Sequence, residues 1–246
     1  MARKLIAGAV FGLGLMMSAG SQAQTTVVLP STATQVVTLT VGLWTVQFNN
    51  STGANACGLT LTSVGGSTPD CSWEEAVGTV DSKGDLTVVF QPNPAHATPL
   101  GSLLSLASSS LQDLSLFEVV TNSGRLITST GLTETGVAPN GSTAILSASE
   151  TVKTVVSGFP GSALGAEGVQ VADTGSTNSP SALLDIAPTA SIFVTKDIKA
   201  TNSVDTAGAT VATVTQVFNV PEPASLSFLA IGFAGLAGLR RRRSRG

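Results

Sequence analysis

Short runs of alternating apolar and polar residues recur along the middle of the chain and predict β-strands. Val37, Leu39 and Val41 alternate with polar residues, and after Gly42-Leu43 the alternation resumes at Trp44 on the other parity. Similar runs rich in Val, Thr and Ile follow, separated by Gly, Pro, Asn and Ser. Because β-branched and aromatic residues favour strands and the separators favour turns, the chain is predicted to be mainly β. Many short strands indicate an antiparallel β-sandwich-like body.

Three stretches depart from simple alternation. After Pro99, apolar residues up to position 114 recur at helical spacing with Thr98 available as N-cap, which predicts one short helix. Residues 158–178 are rich in Gly and Ser and predict a loop. Residues 145–156 fit a helix or a strand, and we favour a strand.

Several strands are expected to pair with their neighbours in sequence. Residues 86–91 follow a turn-like segment and predict a hairpin arm. Residues 116–121 and 125–130 flank a short Asn-Ser-Gly turn and predict a second hairpin. Residues 191–199 and 209–218 predict a final strand pair across a longer loop.

The N-terminus has the pattern of a secretory signal peptide. Arg3 and Lys4 precede an apolar run from Leu5 to Met17, and Ser21-Gln22-Ala23 is a small-x-small site. The alternative, a membrane anchor, is disfavoured because the run falls short of the roughly 20 residues that a span needs. We therefore predict export through the secretion translocon and cleavage between Ala23 and Gln24.

The C-terminal sequence indicates a separate membrane-inserted segment. Residues 226–239 are almost entirely apolar, and as a helix they would measure about 21 Å against a hydrocarbon core of about 30 Å. This mismatch is tolerable because flanking arginines can snorkel to the headgroups. By the positive-inside rule, the following arginine cluster places this end in the cytoplasm; it consists of Arg240, Arg241, Arg242, Arg243 and Arg245.

Two prolines mark the approach to this apolar segment. Pro221 and Pro223 cannot donate backbone hydrogen bonds, and they push the preceding residues toward extended conformations. We therefore expect residues 220–223 to form an exposed, non-helical strip at the outer membrane face. A processing enzyme can grip a strip of this kind.

The whole tail resembles a known sorting signal. Val220-Pro221-Glu222-Pro223-Ala224-Ser225, the apolar helix and the arginine cluster together resemble the PEP-CTERM signal of exopolysaccharide-producing Gram-negative bacteria. The resemblance implies that exosortase, a multi-pass membrane enzyme, recognises the tail, cleaves near the motif and passes the protein outward. It also implies an inner-membrane intermediate with the body in the periplasm, followed by the cell surface or extracellular matrix.

The predicted organisation is a signal peptide (1–23), an exported β-rich domain (24–218) and a sorting signal (219–246). The exported domain has five basic and fourteen acidic residues, so its net charge is −9 whereas that of the whole chain is −3. Five scattered basic residues give no electrostatic footprint for nucleic acid. Polyanions would be repelled unless cations bridge them to the domain.

Cys57 and Cys71 are the only two cysteines in the chain. Export places them in an oxidising compartment, where a disulfide is the expected state. Closing a loop of about 15 residues would stabilise the fold by about 3 kcal/mol in the chain-entropy model. The alternative, a metal pair or a reactive thiol, lacks nearby ligands because the single histidine, His96, is distant in sequence.

The domain contains no catalytic motif that we recognise: no Gly-x-Ser-x-Gly elbow, His-Glu-x-x-His helix or phosphate-binding loop. His96 lies in a proline-rich segment and is expected to be an exposed loop residue. Asp70, Glu74 and Glu75 accompany Trp73, and we expect a solvated face there rather than a catalytic pair. The sequence predicts no enzymatic activity, cofactor or metal site.

Three functional hypotheses follow. The first is a non-enzymatic exported protein with a structural or adhesive role in an exopolysaccharide matrix or biofilm. The second is a carbohydrate-binding module that uses Trp73 and the nearby acids, and the third is a secreted hydrolase that depends on His96. Expected partners are exosortase, the translocon and exopolysaccharide, while the oligomeric state stays open.

Overall fold

The computed structural model describes residues 24–30, 35–48, 57–61, 66–68, 71–72, 74–96, 104–105, 111–138, 144–172, 177–201 and 209–221. Within these ranges the chain is almost entirely β, with one 3-10 turn at Pro94–His96. The strands are β1 (Gln24–Val28), β2 (Val37–Val41), β3 (Trp44–Phe48), β4 (Cys57–Leu61), β5 (Gly66–Thr68), β6 (Glu74–Val80), β7 (Leu86–Pro92), β8 (Leu104–Ser105), β9 (Leu111–Asn122), β10 (Ile127–Val137), β11 (Ile145–Val156), β12 (Phe159–Ala172), β13 (Thr177–Asn178), β14 (Ser181–Thr189), β15 (Ser191–Thr201) and β16 (Thr210–Asn219).

These strands form two antiparallel sheets. Sheet A has the order β1-β6-β7-β16-β10-β13, with β14 also paired to β10 and β8 to β16. Sheet B has the order β12-β11-β15-β9-β3-β2, with β4 paired to β9 and β5 to β4. The predicted mainly β, antiparallel fold is thus confirmed for the part of the chain that the structure describes.

The core lies between the sheets, and it follows from the alternation seen in the sequence. In β7, for example, Leu86, Val88 and Phe90 are buried whereas the residues between them are partly exposed. Phe90 of sheet A meets Phe48 of sheet B edge to face, with ring centroids 6.0 Å apart. Such aromatic pairs add about 0.5–1.5 kcal/mol beyond the burial of their surface.

The predicted helix after Pro99 is wrong wherever the structure describes that segment. Leu104–Ser105 is a strand, and the long strand β9 begins at Leu111. In β9, Leu114 and Leu116 are both buried, and β9 pairs with β15, β3 and β4. Helical spacing of leucines is a local signal, and the pairing of β9 with strands distant in sequence overrides it.

The predicted loop at residues 158–178 is also wrong, because β12 occupies most of it, whereas the strand predicted for 145–156 is confirmed as β11. β11 and β12 join through a two-residue turn in which Ser157 and Gly158 both have positive φ, 53° and 83°. Glycine within β12 permits close packing: a Cβ on Gly165 would lie 2.7 Å from a methyl group of Leu184.

Two of the predicted strand pairs are wrong for a common reason. β9 and β15 belong to sheet B, whereas β10 and β16, which follow them in sequence, belong to sheet A. The connections therefore cross from one sheet to the other and are not hairpin turns. At the first crossing, Asn122 Oδ1 accepts the N–H groups of Gly124 and Arg125, at 2.8 and 2.9 Å. The hairpin arm predicted at 86–91 is confirmed, since β7 pairs with β6.

Candidate functional site

The C-terminal tail leaves the domain from the central strand of sheet A. β16 ends at Asn219, and the next residue, Val220, is only 6% exposed. Its backbone N–H donates to Asp85 Oδ1 at 2.8 Å. Pro221 is exposed, and its carbonyl accepts a hydrogen bond from Arg125 Nη1 at 3.4 Å. The domain therefore holds the chain as far as Pro221.

The prediction of an exposed strip at residues 220–223 is corrected by this geometry. Val220 is buried because it packs at the edge of the core, and it belongs to the domain. Pro221 is exposed and non-helical, as predicted. The rest of the motif lies outside the described residues, as do the apolar helix and the arginine cluster; this part comprises Glu222, Pro223, Ala224, Ser225, the segment 226–239 and residues 240–245.

A tight loop at residues 81–85, here the Asp81 loop, supports this junction. Asp81 Oδ1 accepts three backbone N–H bonds, from Lys83, Gly84 and Asp85, each at 2.9 Å. Gly84 has φ +94°, a conformation that residues with a Cβ rarely adopt. One carboxylate oxygen thus sets the shape of the loop, and the loop places Asp85 against Val220.

Two side chains anchor the Asp81 loop, one from β3 of sheet B and one from the connection between β9 and β10. Trp44 Nε1 donates to the carbonyl of Gly84 at 2.9 Å, and Arg125 Nη1 donates to the carbonyl of Lys83 at 2.6 Å. Arg125 therefore bridges the loop and Pro221. We call Asp85, Arg125, Val220 and Pro221 the tail junction.

A second site lies between the sheets, where five polar side chains meet in a largely apolar core. Glu150 Oε2 accepts from Lys196 Nζ at 2.7 Å and from Gln216 Nε2 at 2.6 Å. Thr130 Oγ1 donates to Glu167 Oε1 at 2.8 Å. Glu167, Glu150 and Lys196 lie side by side on β12, β11 and β15, whereas Thr130 and Gln216 come from sheet A. We call these five residues the core polar cluster.

Charge in the core polar cluster is set by burial and by close partners. Burial alone would raise the pKa of Glu150, but Lys196 and the hydrogen bonds around it hold that pKa below its usual value. Burial, followed by the hydrogen bond to Glu150, raises the pKa of Glu167 to about 8. At neutral pH Glu150 is therefore a carboxylate, while Glu167 carries a proton that it donates to Glu150.

Two further glutamates are completely buried close to this cluster. Burial, followed by the charge of Glu150, raises the pKa of Glu118 to about 7, against the opposing effect of Lys196. Burial raises the pKa of Glu134 to about 8, against a backbone hydrogen bond from Ala148. Protonation of these groups avoids the cost of an unpaired charge in the core.

These interior charges were missed in the sequence, although a signal exists. Within β11 the buried positions are Leu146, Ala148, Glu150 and Val152, so a charged residue stands in phase with apolar ones. Lys196 occupies the equivalent phase in β15. A charge at a buried position of a strand needs a partner, and its presence predicts a buried polar site.

The acidic group near Trp73 differs from its prediction. Glu74 is 2% exposed and Glu75 is 8% exposed, so they do not form a solvated face. Burial raises the pKa of Glu74 to about 9, and Glu75 accepts a hydrogen bond from Gln91 Nε2 at 2.6 Å. Asp70 and Trp73 lie outside the described residues.

The remaining candidate residues stay predictions. Cys71 is fully buried, but the side chain of Cys57, at the start of β4, lies outside the described residues, so their disulfide is untested. The side chain of His96, at the end of the 3-10 turn, also lies outside them. For signal cleavage, Ala23 is outside the described residues, while Gln24 is the first residue of β1 and is aligned with Thr79.

Comparison with known proteins identifies the tail. The family model described as the PEP-CTERM protein-sorting motif matches residues 219–243, directly after the body of β16. A search of curated proteins finds no significant match to the chain. No helix within the described residues is long and apolar enough to cross a membrane, and the predicted span at 226–239 lies beyond them. A PEP-CTERM motif implies processing by exosortase and transient anchoring in the membrane. The chain therefore carries a C-terminal PEP-CTERM protein-sorting motif.

Proposed function

We propose that this protein is an exported, non-enzymatic exosortase substrate whose β-sandwich serves a structural or adhesive role at the cell surface or in an exopolysaccharide matrix. The observation that carries the proposal is the sorting motif at residues 219–243, which begins where the last strand of the domain ends. The molecule is in this view the substrate of a membrane enzyme and has no reaction of its own.

The tail junction supports this view because it fixes how much chain separates the domain from the membrane. From Pro221 to the predicted start of the apolar helix at Leu226 the chain can extend by at most about 18 Å. The enzyme therefore acts in a narrow gap below a folded domain. The residues that remain accessible to it begin at Pro221, since Val220 is buried.

Export would precede this step. Cleavage after Ala23 would leave β1 intact from its first residue, Gln24, so β1 would keep its pairing with β6. In the periplasm we propose that Cys57 and Cys71 form a disulfide. Alkylation of the denatured protein would test it: both thiols should react only after reduction, and reaction before reduction would refute the pairing.

Cell fractionation tests the sorting proposal. The wild-type protein should be recovered from the surface or medium without its arginine cluster, whereas the triple variant Pro221→Ala, Glu222→Ala, Pro223→Ala should stay in the inner membrane with the cluster attached. A matched control is Pro188→Ala, an exposed proline in β14 that lies outside the motif, and it should behave as wild type. Release of the triple variant at the wild-type level would contradict the proposal.

The two alternative functions have tests of their own. A carbohydrate-binding module predicts a pull-down on the producer's polysaccharide that Trp73→Ala abolishes. Trp44→Ala is not a suitable control, because Trp44 is buried and holds the Asp81 loop. A secreted hydrolase predicts a measurable activity that His96→Ala abolishes.

A further inference from the structure

Glu150 stands between an amine and a carboxamide in the core polar cluster. Its Oε2 atom is 2.7 Å from Lys196 Nζ and 2.6 Å from Gln216 Nε2, so the two nitrogens cannot be farther apart than the sum of these distances. The side chains of Lys196 and Glu150 are fully buried, as is Gln216. An apolar ring covers the amine, because Lys196 Nζ lies 5.5 Å from the centroid of Phe90.

We propose that Lys196 and Gln216 form an intramolecular isopeptide bond, with Glu150 as the group that transfers the protons. Lys196 Nζ gives a proton to Glu150 and attacks Cδ of Gln216, and a new C–N bond forms. Glu150 then delivers a proton to Nε2, the old C–N bond breaks, and ammonia leaves. Of the three protons on Nζ, one stays on the amide, one leaves with ammonia and one stays on Glu150. No oxidant, cofactor or other reactant is needed.

The site has the physical features that this reaction requires. Holding both reacting groups on one carboxylate oxygen replaces a bimolecular encounter with a positioned one, for which effective molarities of about 10⁵–10⁸ M are known. The buried position excludes water that would compete with the amine. The reaction also replaces a buried ion pair by neutral groups, and burial favours neutral forms.

The bond would join the two sheets covalently. Lys196 is on β15 in sheet B and Gln216 is on β16 in sheet A, the strand that continues into the sorting motif. A domain with this covalent cross-link between its sheets would resist unfolding by mechanical force. This inference does not depend on processing of the tail, and it can fail or succeed independently of the proposed function.

The test measures the intact mass of the denatured protein that producing cells make from the full-length sequence, and peptide mapping then locates any cross-link. We expect a mass lower than the sequence mass by one ammonia molecule and a linked peptide that contains Lys196 and Gln216. Because an N-terminal Gln24 can also cyclise with loss of ammonia, the linked peptide decides the assignment. Glu150→Gln and Gln216→Met should each lack the linked peptide, and Lys199→Met should retain it.

Folding of each variant is checked by cooperative urea unfolding. If Glu150→Gln does not fold, Gln216→Met serves alone, since it removes the acylated group and leaves the Lys196–Glu150 pair in place. Folded wild-type protein without the linked peptide would overturn the inference. A linked peptide that has lost water in place of ammonia would place the bond on Glu150 and would also overturn it.

Discussion

Replacing Asp81 with alanine tests the structure of the tail junction most sharply. One oxygen of Asp81 accepts three backbone N–H bonds at 2.9 Å, and alanine leaves all three donors without this acceptor. The amide of Lys83 is exposed and can bond to water in the variant, so losing its hydrogen bond to Asp81 costs about 0.5 kcal/mol. The partly buried amide of Gly84 keeps a second acceptor, the backbone carbonyl of Asp81 at 3.1 Å, so losing Oδ1 there costs about 0.5 kcal/mol. The partly buried amide of Asp85 loses its hydrogen bond to Oδ1, at a cost of about 1 kcal/mol or slightly more. The predicted total loss is about 2 kcal/mol.

Urea denaturation measures this loss as a shift of the midpoint at constant slope. Asp185→Ala is the matched control, because Asp185 is an exposed aspartate in β14 and its removal should change stability by less than about 0.5 kcal/mol. Asp81→Asn keeps an oxygen acceptor without the charge and should lose about half as much as Asp81→Ala. If Asp81→Ala matches the Asp185→Ala control, the loop does not organise the junction and the reasoning is refuted.

Three further predictions concern the core. The pKa of Glu134 is about 8 in the folded protein and 4.5 as an ordinary glutamate, so its contribution to stability is complete below pH 4.5 and is lost as the pH rises toward 8. The melting temperature should therefore fall between these two pH values, and it should fall less steeply in Glu134→Gln. In the Gln216→Met background, Lys196→Met should lower the free energy of unfolding in urea by about 3–5 kcal/mol, because it leaves the Glu150 carboxylate without its ion-pair partner. The control, Lys199→Met, removes a partly exposed pair with Asp197 and should cost less than about 1 kcal/mol. Equal costs for the two variants would contradict the ion-pair assignment. Gly136→Ala should cost about 1–3 kcal/mol because its Cβ would lie 2.8 Å from the carbonyl oxygen of Thr210; Gly131→Ala, with its nearest atom at 3.5 Å, should unfold at nearly the wild-type urea concentration.

Local patterns were sufficient to predict the fold class and one hairpin arm, but not the two other strand pairs. Alternation in β2, β3 and β7 identified strands because their buried and exposed faces are distinct. The segment after Pro99 failed, since leucines spaced for a helix also fit a strand whose partners lie far away in sequence. Adjacent strands such as β15 and β16 were wrongly paired because a change of sheet leaves no mark in the composition of a loop.

The candidate sites divide in the same way. The sorting motif is a linear signal, so it could be read from the residues at 219–243 without a structure. The tail junction depends on Asp85 and Arg125, which lie far from Val220 in sequence and meet it only in the folded domain. The core polar cluster joins strands of both sheets, so the sequence carries a signal only for its charges at buried strand positions, and that signal was missed.

The most direct test of the sorting proposal is the C-terminal residue of the released protein, determined by intact mass and confirmed on the C-terminal peptide. We predict a C-terminus between Pro221 and Ser225, with Val220 retained and the arginine cluster absent, because Val220 is buried in the domain and Pro221 is the first exposed residue of the motif. A released protein that keeps the sequence through Gly246, or one that ends within β16, would contradict the proposal.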